Sequence, residues 1–257
     1  MKRKIALLLA AMLVATVLCA CGEENEEVAE TTQPAVEETE APKETETAPE
    51  TESEPEIVPE EPKISELKFD AMTDDEKAEL NRFLSKFAET FIYEYDENEA
   101  GNGTAMFKFA LHHSLINLNS EGIVYSEGEY DIGIKEETLN KILDEYFGQT
   151  LLQDSVDGPV WYENGAYWTV NGGEVPYAYF NITTNLQKIG DNTYTVSFSK
   201  FYDEENSEAK ANPSWYSYSY EQACDKSTFW QTGTATVRQK IYNGKLTYEL
   251  ISYYENR

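Results

Sequence analysis

Val237-Arg238-Gln239-Lys240-Ile241-Tyr242-Asn243-Gly244-Lys245-Leu246-Thr247-Tyr248-Glu249-Leu250 decides the fold class. Asn243-Gly244 is the pair that two-residue hairpin turns prefer, because both positions adopt positive φ. With that turn Tyr242 opposes Lys245. Val237 then faces Leu250, Gln239 faces Tyr248 and Ile241 faces Leu246 on one side of the ribbon. Arg238 with Glu249 and Lys240 with Thr247 share the other side. A covered face and a solvated face mark an antiparallel sheet.

Upstream, the same period of two continues. Trp161-Tyr162-Glu163 and Ala166-Tyr167-Trp168 flank Asn164-Gly165 as a tight hairpin, and 178–189 with 193–202 make a longer one across Gly190-Asp191-Asn192. Before Gly148 the period is that of a helix. Thr73-Asp74-Asp75-Glu76 has the spacing of a capping box, and Leu80, Phe83, Leu84, Phe87 and Phe91 predict a helix over about 74–95. A second helix is predicted from Thr104 to Leu118 with Met106, Phe109, Ala110 and His113 on one face. A short strand over 130–134 then leads to a third helix over 136–147, stopped by Gly148. The expected class is α+β: two to three N-terminal helices on a curved antiparallel sheet of five to six strands.

The first 63 residues belong to other physical classes. Met1-Lys2-Arg3-Lys4, then an apolar run from Ile5 to Leu18, reads as a secretory signal over residues 1–20. The run is short for an uncleaved membrane helix. Its ending, Leu18-Cys19-Ala20-Cys21, resembles the bacterial lipobox, which implies that Cys21 carries lipid and becomes the mature N-terminus. Residues 21–63 then hold 16 Glu, six Thr and six Pro with no aromatic residue. Such a segment cannot bury enough apolar surface to fold, and is expected to be a disordered stalk. Residues 64–257 are left as a single globular domain, with Cys224 as its lone thiol, expected as a small core residue. The formal charge of −28 excludes nucleic-acid binding through a basic face.

Leu80-Asn81-Arg82-Phe83-Leu84-Ser85-Lys86-Phe87, Phe109-Ala110-Leu111-His112-His113-Ser114-Leu115-Ile116-Asn117 and Tyr146-Phe147-Gly148 resemble a recurrent type of extracytoplasmic lipoprotein from Gram-positive bacteria. That resemblance implies a lipid anchor on the outer face of the cell membrane and one folded domain, and it brings no activity with it. The order of elements also resembles nuclear-transport-factor-2-like domains, in which helices close one side of a curved sheet. A cystatin-like arrangement gives much the same string.

Few residues carry chemistry. There is no Gly-x-Ser-x-Gly elbow, no phosphate loop and no Cys-x-x-Cys. His112 and His113 are adjacent and point about 100° apart on a helix, so they do not share a metal. His113 on the apolar stripe reads as a core histidine, with a general base as the alternative. Asp203-Glu204-Glu205 reads as a solvated loop rather than a calcium site. No cofactor or metal is expected, and the chain is not expected to be an enzyme. What remains is an aromatic excess. Tyr216, Tyr218 and Tyr220 of the run Pro213-Ser214-Trp215-Tyr216-Ser217-Tyr218-Ser219-Tyr220 would share one face of a strand. With Trp215 and Trp230 they are the candidate ligand-binding residues, suited to stacking on a glycan, a wall fragment or a peptide. A non-catalytic binding module is thus the leading reading. An accessory subunit of another membrane protein and a carboxylate-based hydrolase are the alternatives.

Overall fold

A computed structural model describes residues 62–99, 102–118, 120–128, 130–152, 155–172, 178–206 and 212–256, which belong to one compact unit. The signal segment, Cys21 and the acidic stretch as far as residue 61 lie outside the described residues. Among those described, no helix is long and apolar enough to cross a membrane.

The capping box forms as the sequence requires. Thr73 Oγ1 accepts the Glu76 amide at 3.2 Å, and the Glu76 carboxylate accepts the Thr73 amide at 2.8 Å. Helix α1 runs Asp74–Glu89, shorter than its apolar stripe suggests. Phe91 leaves the helix with φ of 57°. The chain closes there because the Ile92 amide reaches back to the Phe87 carbonyl (3.0 Å) and the Phe91 amide to Ala88 (3.4 Å), a Schellman-type ending usually built on glycine. Strand β1, Glu94–Asp96, follows. Helix α2, Gly103–Asn117, buries Met106, Phe107, Phe109, Ala110 and Leu111, so it is enclosed on more than one side. Helix α3, Glu136–Phe147, has the expected bounds, and Gly148 ends it at φ of 61°.

Among the described residues nine antiparallel strands form two sheets. The first has the order β1-β9-β8-β7-β6, where β6 is Tyr179–Gly190, β7 Thr193–Tyr202, β8 Thr228–Tyr242 and β9 Lys245–Glu255. The second has the order β2-β3-β5-β4, from β2 Ile123–Tyr125, β3 Asp131–Lys135, β4 Trp161–Glu163 and β5 Ala166–Val170. The class is α+β with helices on an antiparallel sheet, but the 161–168 hairpin pairs with β3 instead of extending the main sheet. Register in the last hairpin follows the turn: Val237 opposes Leu250, Gln239 opposes Tyr248 and Arg238 opposes Glu249. One core joins the three long helices to both sheets through Leu80, Phe87, Phe109, Ile134, Tyr167, Val237 and Tyr253.

Strand β6 is an edge of the main sheet, and α1 covers it with polar side chains. The Asn181 amide donates to Ser85 Oγ at 2.9 Å and the Thr183 amide to Asn81 Oδ1 at 2.7 Å. Helix side chains thus supply acceptors that a further strand would have supplied. A second, smaller core of Phe180, Ile182, Phe201, Trp215, Tyr216 and Ala223 lies under the segment 213–226.

Candidate functional site

The tyrosine-rich run does not form the expected strand. Pro213–Ser217 is a 3-10 turn capped by Asn212, whose Oδ1 accepts the Ser214 amide at 3.1 Å. Helix α4, Tyr220–Lys226, starts from a second capping box between Ser219 and Gln222. Asn-Pro-Ser and Ser-x-x-Gln are helix-start signals, and they prevail over the Tyr/Ser alternation. Trp215 is therefore core: it is fully buried, stacks on Phe180 at 5.1 Å and donates its Nε1 hydrogen to Asp203 Oδ2 at 2.8 Å. That bond also makes Asp203 a buried acceptor and not part of a solvated loop. Cys224 is exposed, because the phase of α4 turns Ala223 inward instead.

The other three tyrosines come together despite the lost strand. Tyr216, Tyr218 and Tyr220, with Phe69, wall a cleft of about 630 Å³ between the N-terminal half of α1, the edge of β6 and the 217–222 segment. Thr183, Thr184, Ser199, Ser217 and Ser219 add hydroxyls, and Asn81 and Gln222 add amides. Among the described residues Asp74 and Lys77 are the only charged ones in the lining. Such a site offers ring faces and neutral hydrogen-bonding groups with little net field.

Asn81 ties the cleft together. While its Oδ1 takes the Thr183 amide, its Nδ2 donates to the Tyr216 carbonyl at 2.9 Å. Tyr216 is fixed at its other end too. Its hydroxyl donates to Glu89 Oε1 at 2.8 Å, and Lys86 Nζ donates to that hydroxyl (3.1 Å), to Glu89 Oε2 (3.3 Å) and to Asn117 Oδ1 (2.7 Å). Burial pushes the Glu89 carboxyl above its ordinary value, with Lys86 opposing; burial and then Glu89 push the Tyr216 phenol up as well. Tyr216 is therefore a rigid wall rather than a titrating group.

His113 packs against Phe109 (5.5 Å) and Tyr146 (4.9 Å) in the core. Burial, then the Lys86 charge, lowers its imidazole to about 3, so it is neutral at physiological pH. Among the described residues no group of three or more His, Cys, Asp and Glu is placed to hold a metal.

Trp230 lies apart from the cleft. Ser199 and Lys200 are successive residues of β7 and point to opposite sides of the sheet. The cleft takes Ser199, whereas a second cavity of about 350 Å³ takes Lys200 together with Phe91, Tyr93, Tyr179, Trp230 and Gln231. The chain matches no family model, no curated protein and no solved structure.

Proposed function

We propose that this is a lipid-anchored surface protein whose folded domain binds, without catalysis, a neutral ring-bearing ligand: a glycan or glycan-containing wall fragment. The observation that carries the binding reading is the cleft walled by Tyr216, Tyr218 and Tyr220 and lined by hydroxyls and amides with one residue of each charge. Aromatic faces stack on the apolar faces of sugar rings, and neutral donors and acceptors suit ring hydroxyls. A peptide or an anionic ligand has less to recognise there. The anchoring part of the proposal rests on the basic, apolar and Leu-x-Ala-Cys succession that ends at Cys21.

Titration of the purified chain with neutral oligosaccharides, followed calorimetrically, tests the binding. Tyr218→Ala combined with Tyr220→Ala is expected to weaken capture at least tenfold while shifting the melting temperature by only a few degrees, since Tyr220 is exposed and Tyr218 half-buried. Absence of any saturable heat across the panel would overturn the reading. Anchoring is tested separately: Cys21→Ala should abolish incorporation of a labelled fatty acid and release the protein from membranes, and unchanged labelling would refute it.

A further inference from the structure

We infer that the ligand is an uncharged polysaccharide, several rings long, running from the tyrosine cleft round the start of β8 into the cavity beside Trp230. This rests on the glycan reading of the cleft and extends it to polymer length and to a second subsite.

Two irregularities of the backbone converge on the second cavity. Lys200 pairs with Gln231 and Phe201 with Phe229, so Trp230 is the extra residue of a β-bulge. A bulge lets two consecutive side chains turn to one side of the sheet, and Trp230 and Gln231 both line the cavity. Phe91 lines it as well, from its left-handed conformation at φ of 57°. That conformation ends α1 and costs an aromatic residue about 1–2 kcal/mol relative to the right-handed region, and it turns the ring to the cavity.

Rings run between the two cavities, some exposed and one, Phe201, buried beneath them. Phe201 meets Tyr220 and Phe229, each at 5.9 Å between centroids. Trp230 follows Phe229 in the chain and meets Tyr179 edge-on at 5.4 Å. Phe91 lies 5.9 Å from Tyr179 and 5.8 Å from Tyr93. Tyr93, Tyr220, Phe229 and Trp230 are 36%, 43%, 48% and 53% exposed, so the strip is open to solvent at each of these rings.

Charge selects the class of polymer. Among the described residues Lys200 is the only charged one lining the second cavity, and its ammonium is bound to Glu255 at 2.8 Å. The same ammonium lies 4.7 Å from the Tyr179 ring and 5.3 Å from the Tyr93 ring. The place that a cationic ligand would take between those rings is thus filled from within the protein. An anionic polymer meets a chain of net charge −28. A neutral chain of sugar rings suits both cavities and the strip between them.

The test measures affinity against chain length. β-1,4-linked oligomers of N-acetylglucosamine and of glucose, from one to six units, are titrated into the full chain by calorimetry, with wild type, Trp230→Ala, Trp230→Phe and the Tyr218→Ala/Tyr220→Ala variant in parallel. Wild-type affinity should climb with length. Trp230→Ala should bind mono- and disaccharides like wild type but lose at least tenfold for the hexamer, with Trp230→Phe recovering most of the loss. Equal length dependence in wild type and Trp230→Ala would overturn the extended site while leaving the cleft intact, and would turn the strip into a candidate protein contact. No binding of any oligomer to wild type would overturn the cleft reading and this one together. A melting temperature for each variant separates lost contact from lost fold.

Discussion

Asn81→Leu tests the joint that builds the site. Asn81 is 3% exposed and its two amide atoms serve two different segments, the edge of β6 through the Thr183 amide (2.7 Å) and the tyrosine segment through the Tyr216 carbonyl (2.9 Å). Leucine has a similar volume but satisfies neither group. Each orphaned backbone group costs about 1–3 kcal/mol, and extra apolar burial offsets part of that, which leaves a net loss of about 3 kcal/mol. For a domain of this size 1 kcal/mol moves the melting temperature by about 2–4 °C, so a drop of about 6–12 °C is expected. Thermal unfolding followed by circular dichroism measures it. Ser85→Ala, which removes the acceptor of the Asn181 amide and the hydroxyl's own bond to the Asn81 carbonyl (2.7 Å), should lose about half as much. Oligosaccharide affinity should fall in Asn81→Leu even well below its midpoint, because Tyr216 has lost one of its two ties. A shift under 2 °C would refute the structural account, and a large shift with unchanged affinity would refute the positioning role.

Three further perturbations follow from the buried groups. Trp215→Ala should cost about 3–5 kcal/mol in urea unfolding, as for other large-to-small core changes, and a near-neutral result would return Trp215 to the surface. Gln239 is buried with no hydrogen-bond partner for either amide atom among the described residues, so Gln239→Met should raise stability by about 1–3 kcal/mol; a loss would mean that the amide is satisfied after all. His113 has a folded-state value of about 3 against an ordinary 6.5, so between those limits the unfolded chain binds the extra proton and stability falls as pH falls. From pH 6.5 to 5 wild type should lose about 1.6 kcal/mol more than His113→Gln, with Glu89, raised by burial and therefore of opposite sign, common to both proteins. Parallel acid dependence in the two would show that the imidazole is not held neutral.

Local signals were legible where one element contains both the cause and the effect. The Thr73/Glu76 box starts α1, Gly148 stops α3, and the Asn243-Gly244 turn sets six consecutive pairs from Tyr242–Lys245 to Val237–Leu250. Failure came where tertiary packing decided. Phe91 fits the helical stripe by spacing, yet lies beyond a Schellman-type ending because the chain must reach β1. Tyr216, Tyr218 and Tyr220 line one cleft, but from a 3-10 turn and a helix start instead of a strand face, because two capping signals prevail over the alternation of Tyr and Ser. Asn81 was visible only as a polar residue on an otherwise apolar helix face. Its partners lie 102 and 135 positions away, and no local pattern encodes such a contact. The same holds for the bulge at Trp230, a property of two strands in register.

The neighbours of β9 have a consequence for how the chain is made. It comes after every other element in chain order, yet it lies second in the main sheet, between β1 and β8. While the chain emerges N-terminus first, β1 has no partner and β8 is open on one side until residues 245–255 have followed. Closure of the main sheet thereby waits until β9 has followed the other described strands. A stop codon before Lys245 should yield not a slightly weakened domain but a protease-labile chain, with α1 and the tyrosine segment failing alongside a strand that neither of them precedes or follows directly.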